Sequence, residues 1–274
     1  AQGIINSYGI LSEQNLIQPA LYANNVVEAI AVTYANAYGR FSVSDHLCGF
    51  SFAAADPETQ APTALPETRM ARLFGEAAGI PPIGGVELIN DFSEGGPMLN
   101  RLSVSASGVR DMNLRGALCL RRLVTGKDES GEPLSGEACV QHERIAEGMA
   151  QIRASGNLRG LPALIVHGRD DAILPPNHTS RAYAGLNSLT EARSSLRYYE
   201  VTNAHHLDAF NQLPGFSSRY IPLQYYLIQI LDLLHDHLEN KTPLPASQVV
   251  RTLPRGILED GTVPDITREN LPAI

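Results

Sequence analysis

The second half of the chain alternates between two kinds of segment, and that alternation restricts the fold more than any other feature. An apolar run, Leu161 to Val166, stops abruptly at His167-Gly168, predicts a strand over 163–167, and is followed by Asp170, Asp171 and Pro175-Pro176. A helix is predicted over 178–188, a second strand over 196–201 ("LRYYEV") and a last helix over 222–238. In that last helix Leu223, Leu227, Ile230, Leu231, Leu234 and Leu238 recur at three- and four-residue intervals. Strand–helix–strand–helix order implies an α/β fold, a parallel sheet covered by helices on both faces. Chemistry in such sheets gathers in the loops at the carboxyl ends of the strands.

Two loops occupy that position. One presents Asp170 and Asp171; the other, "TNAHHLDAF", presents His205 and His206. An acid loop followed by a histidine loop matches the late part of an α/β-hydrolase, whose triad runs Ser, Asp or Glu, His. The pattern HG-x-x-D-x-x-(V/L)-P places the acid four residues after His167, which favours Asp171; Asp170 then fixes the loop or faces solvent. Both acids making turn bonds alone is the plain alternative. His206 precedes apolar Leu207 and is favoured over His205, which would be a neighbour at the mouth of the site. A metal site of His205, His206 and Asp208 is disfavoured, because adjacent side chains diverge from an extended loop.

The earlier part of the chain is less legible. Residues 19–39 carry apolar residues at helical spacing and end at Gly39, read as a C-cap. A Pro-rich surface loop is expected over 53–68, a short helix in "TRMARLFGEAAG" stopping at Gly79 before Pro81-Pro82, and an exposed connection over 126–136. Residues 138–155 are amphipathic, with Val140, Ile145, Met149 and Ile152 on one face. The expected division is therefore 1–137, a cap or partial core, and 138–274, the C-terminal half of a hydrolase core.

A nucleophile is hard to place. The expected G-x-S-x-G elbow finds its nearest match in "CGFSFAA" around Ser51, but Pro57 follows too soon for the required helix. Ser93 meets the same objection at Pro97, and no HGG-like oxyanion segment precedes either. About 50 residues before Ser51 are too few for the early strands of such a fold. The nucleophile is therefore expected upstream of this chain. The start, "AQGIINSYGI", reads as neither a signal peptide nor a translation start.

A formal charge of −8 argues against a nucleic-acid partner, and no apolar run reaches the roughly 18–20 residues of a membrane helix. Cys48, Cys119 and Cys139 lack C-x-x-C spacing and permit one disulfide plus a thiol, or three thiols.

The strings "YANAYGRFSVSDHLCGFSFAA", "IVHGRDDAILPPNHTSRAY", "YYEVTNAHHLDAFNQLPGF" and "LPASQVVRTLPRG" resemble the D-(-)-3-hydroxybutyrate oligomer hydrolase family over nearly the whole chain. The resemblance is to the C-terminal part of a longer enzyme. It implies hydrolysis of short, water-soluble 3-hydroxybutyrate oligomers through an acyl-enzyme on an upstream Ser, with His206 as base and Asp171 orienting it. It implies no cofactor and no metal. The partners are the ester substrate and the remaining N-terminal part of the same polypeptide; an exported or periplasmic location is favoured over a cytoplasmic one. The family reads "NAQHFDAF", with Gln in place of His205. Two other readings stand beside it: an esterase of tannase or feruloyl-esterase type, and a hydrolase-derived fragment that binds without catalysing.

Overall fold

A computed structural model of the chain describes residues 1–76 and 85–274, with residues 72–76 described by their backbone alone. In chain order the elements are α1 (Gln2–Ser7), α2 (Gln18–Ala23), α3 (Val26–Gly39), β1 (Phe50–Ala55), β2 (Pro62–Thr63) and α4 (Glu67–Glu76). Then follow β3 (Glu87–Asn90), β4 (Met98–Leu99), α5 (Leu114–Thr125), α6 (Gly136–Ile152), β5 (Ala163–Gly168), α7 (Ser180–Thr190), β6 (Leu196–Val201), α8 (Leu223–Asn240) and β7 (Gln248–Val250). The chain is mixed α/β and forms two compact units, one of residues 1–19 with 154–274 and the other of residues 20–153. Helix α6 packs on α3 and α5 and so belongs to the unit of residues 20–153.

In the unit of residues 20–153, β1 to β4 form an antiparallel sheet in the order β2-β1-β3-β4. The expected loop over 53–68 is thus partly strand: Ala54 and Ala55 pair with Thr63 and Pro62. Helices α3, α5 and α6 contribute Ala29, Val32, Ala35, Leu120, Leu123 and Ile145 to a core shared with Phe50 and Leu88. The face expected for α6 is wrong except at Ile145, for Val140, Met149 and Ile152 are exposed. Backbone proximity decides this: a Cβ at Gly148 would lie 2.0 Å from the Tyr38 carbonyl oxygen, so α6 meets α3 at its glycine rather than along an apolar stripe. Gly39 likewise is not the left-handed cap. That conformation belongs to Arg40, whereas Gly39 leaves room for the Phe41 ring, 2.1 Å from where its Cβ would stand. The expected single helix over 19–39 is two, broken at Asn25 with its φ of 58°. Cys48 and Cys119 are disulfide-bonded and Cys139 is a thiol. The helix end expected at Gly79 and the stop at Pro81-Pro82 lie outside the described residues.

In the other unit β5, β6 and β7 form a parallel sheet, with Ala163–Gly168 registered residue for residue against Leu196–Val201. The strands expected over 163–167 and 196–201 are in place. Helix α8 buries Tyr226 and Ile230 against Tyr199, Val201 and Val250. Its buried stripe is narrower than the leucine repeat predicts, leaving Leu227, Leu231 and Leu238 exposed, because a three-stranded sheet offers it little width.

Candidate active site

Both strand-end loops lie in one unit and are sewn together by backbone. Arg169 N donates to Val201 O at 2.8 Å and Asp170 N to Ala204 O at 2.9 Å. Gly168 permits this approach, since a Cβ there would stand 2.5 Å from the Ala204 carbonyl oxygen. Gly168→Ala is expected to cost about 1–3 kcal/mol, as overpacking of a tight contact does, and to shift the histidine loop. A urea titration checks the first effect; an unchanged midpoint would show that the loops do not depend on this contact. The histidine loop is fastened from its other side as well. Asn203, at a φ of 53°, directs its side-chain amide to Thr252 O at 3.0 Å and accepts from Ile221 N at 2.7 Å.

These constraints bring Asp171 and His206 together. His206 Nδ1 lies 2.9 Å from Asp171 Oδ2, and the same oxygen is 3.1 Å from His167 Nε2. Asp171 Oδ1 accepts from the backbone N–H of Ile173 and of Leu174, both at 2.9 Å. Burial pushes the Asp171 carboxyl up, but the bonds from His167, His206 and Leu174 outweigh it and hold the group at about 2. The bond to Asp171 raises the His206 imidazole above its ordinary value, with burial opposing. Stability from the depressed Asp171 is present above the ordinary carboxylate range and lost as pH falls through about 2. Stability from the raised His206 is present below the ordinary imidazole value and lost as pH rises through its folded value. The Asp171 side chain is 5% exposed and that of His206 30%, so the acid is sealed and the base reaches solvent.

The neighbours settle into other work. Asp170 does not face solvent: it is buried. Burial and the charge of Glu13 push its carboxyl up to about 7, against the opposing pull of the Asn203 N–H and Arg169. An acid raised in this way binds a proton in the fold that the unfolded chain has released, so stability falls as pH climbs from about 4 to about 7. Asp170→Asn is expected to flatten that decline, read from melting temperatures between pH 4 and 8; an equally steep decline in the variant would assign it elsewhere. His205 is not at the mouth of a site either. It is buried, bonded through Nε2 to Asn211 Oδ1 at 2.9 Å and enclosed by the rings of Phe210, Phe216 and Tyr220; burial lowers its proton affinity. Asp208 accepts from Leu223 N and Gln224 N at the start of α8, at 2.7 and 2.8 Å. His205, His206 and Asp208 thus engage three different partners and do not converge as a ligand set.

Some site residues were not singled out from the sequence. His167 served there only to anchor a pattern, yet it touches the acid. Gln14 is fully buried and donates to Asp171 O at 2.7 Å, while Glu13 pairs with Arg169 at 2.7 Å, so the N-terminal segment braces the acid loop. No local motif marks a contact spanning about 157 residues. Buried Glu200 of β6 takes hydrogen bonds from Arg169, Arg181 and Tyr198.

The serine candidates lie in the unit of residues 20–153. Ser51 sits within β1, paired with Ile89, and donates to Asp91 Oδ1 at 2.7 Å; Asp91 Oδ2 is 2.8 Å from His46 Nδ1. A strand, not a helix, follows it. Ser93 is buried and its Oγ accepts from Val104 N at 3.1 Å. Neither has the strand–turn–helix setting of a nucleophile elbow.

Residues 1–274 match the model of the 3HB-oligomer hydrolase family. The chain belongs to that family. It is 49% identical over 98% of its length to a D-(-)-3-hydroxybutyrate oligomer hydrolase of Paracidovorax citrulli, covering 37% of that protein. It is 47% identical to one of an Azoarcus species over 98% of its length and 44% identical to one of Polaromonas naphthalenivorans over 96%, covering 37% and 36% of them. The chain thus spans little more than a third of these 3HB-oligomer hydrolase relatives. No solved structure matches it.

Proposed function

We propose that this chain is the acid-and-base portion of a carboxylic ester hydrolase that cleaves short 3-hydroxybutyrate oligomers to monomers. The carrying observation is the 2.9 Å bond between His206 Nδ1 and Asp171 Oδ2 across two strand-end loops. Asp171 accepts only, so it fixes the proton of neutral His206 on Nδ1 and leaves Nε2 as the base. In this reading a serine supplied by polypeptide outside these residues attacks the ester carbonyl. Nε2 takes the serine proton, then delivers it to the departing 3-hydroxyl oxygen. A water activated at the same nitrogen releases the acyl group and restores the serine.

The fold belongs, in this reading, to an α/β-hydrolase sheet that other strands complete. Among the described residues β5 hydrogen-bonds β6 on one edge and no strand on the other, although Leu164, Ile165 and Val166 make it apolar on both faces. Parallel strands of that composition are ordinarily covered on both sides. The Cys48–Cys119 bond supports a compartment that preserves disulfides, the periplasm or the exterior.

A serine-reactive phosphonate tests the assignment. The folded 274-residue chain is expected to stay unlabelled, whereas the full-length Paracidovorax citrulli relative takes the label and releases monomer from 3-hydroxybutyrate trimer faster than it cleaves an aromatic ester. A label on Ser51 or Ser93 of the 274-residue chain would overturn the division of labour. A preference for the aromatic ester would overturn the substrate.

A further inference from the structure

We propose that His167 is a positioning residue that sets how strongly Asp171 holds His206, by donating its own N–H to the carboxylate oxygen that His206 uses. The proposal rests on the reading of Asp171 and His206 as acid and base. A carboxylate has about four acceptor directions, and all four are taken here. Oδ1 receives the N–H groups of Ile173 and Leu174; Oδ2 receives His206 Nδ1 at 2.9 Å and His167 Nε2 at 3.1 Å. Because the carboxylate only accepts, His167 carries a proton on Nε2. Two imidazoles thus divide the charge of one oxygen.

The division affects the base. Charge drawn toward His167 is unavailable to the imidazolium that His206 becomes during turnover, so His167 limits the proton affinity of His206. A general base works best when its proton affinity lies near the operating pH, and an unshared carboxylate would lift it further from that optimum. The backbone bonds to Oδ1 keep Asp171 in place without His167. Its removal therefore concentrates the charge of Oδ2 on His206 instead of freeing the acid.

Around the pair stand Glu200, Asp208, His205 and Asp170; all but Asp170, whose carboxyl burial pushes up to about 7, are committed to other partners. Glu200, registered against His167 on β6, is held by Arg169, Arg181 and Tyr198. Asp208 caps α8, His205 is bonded to Asn211, and buried Asp170 follows Arg169 in the acid loop.

The sign of one shift separates this role from a structural one. If His167 merely supported the loop, its loss would slacken the Asp171–His206 bond and His206 would titrate lower. If it divides the charge, His206 titrates higher. The measurement is the His206 midpoint by NMR of the 274-residue chain with labelled histidine, in wild type, His167→Phe and His167→Gln. The expected result is a rise of about 0.5–1 pH unit in His167→Phe, a part of the strength of one lost hydrogen bond to a charged group. Gln, which keeps an N–H donor, is expected to restore the wild-type value. An unchanged or lowered midpoint in His167→Phe, or an equal rise in His167→Gln, would overturn the proposal. Should His167→Phe not fold, His167→Leu, which also lacks a donor, is read by the same criterion. No ester is hydrolysed in this experiment, so failure of the proposed reaction and failure of the His167 role remain separate results.

Discussion

Replacing His206 by Ala in a polypeptide that also carries the proposed serine is expected to lower kcat for 3-hydroxybutyrate trimer about 10⁴–10⁶-fold, as removal of the base does in triads that act as a unit. The loss is large because, in the proposed mechanism, one imidazole performs both proton transfers, and neither His205 nor His167 is placed to replace it. His205 is enclosed by aromatic rings and bonded to Asn211; His167 points its Nε2 at Asp171. The substitution leaves the acid loop intact, since Asp171 keeps Ile173 N, Leu174 N and His167 as donors. Folding and substrate binding should therefore change little, and the loss should fall on kcat rather than KM. Single-turnover hydrolysis of the trimer is the measurement. A variant within tenfold of wild type would remove His206 from the mechanism. In the wild type the acidic limb of the kcat/KM profile is expected above the ordinary imidazole value of about 6.5, because Asp171 raises His206.

Reduction of Cys48–Cys119 should have the largest effect on stability. The bond closes a sequence separation of 71 residues, and the chain-entropy relation for a loop of that length gives about 4 kcal/mol. A domain holds on the order of 5–15 kcal/mol in total, so the unit of residues 20–153 would lose a large part of its margin. Its small antiparallel sheet and helices α3, α5 and α6 meet at Phe50 beside the bridge, which links the turn before β1 to α5. Chemical denaturation of the oxidised chain and of a Cys48→Ala/Cys119→Ala variant checks this. A difference below about 1 kcal/mol would mean that the core holds this unit without the bridge.

The parts of the site that could be read from the sequence are the parts set by local rules. The apolar runs Ala163–Gly168 and Leu196–Val201, each ending in a polar loop, announced two strands, and the offset from His167 to Asp171 singled out one acid from an adjacent pair. Strand register and loop chemistry repeat from protein to protein, so a short window carries them. Burial was less legible. Met149 and Ile152 share the helical face of buried Ile145 yet are exposed, because α6 approaches α3 through Gly148, and Val140 lies on another side of the helix at about 100° per residue. Gly39 resembled a cap and is a clearance for Phe41. Periodicity reports which residues share a face, but not which face a neighbour will cover.

Residue order thus marked Asp171 and His206 as a pair to be tested, through spacing that any strand-end loop would impose. It carried no sign that His205 would be enclosed by Phe210, Phe216 and Tyr220, that Asp170 would turn inward, or that Gln14 would reach the acid loop. Nor did it mark His167 as a second donor to Asp171 Oδ2. Gln14 lies 157 residues from Asp171, and the closer partners, His167 four residues from Asp171 and the rings near His205, meet only because irregular loops fold back on themselves. Such contacts are governed by packing volume and unsatisfied backbone groups rather than by the local pattern of the chain.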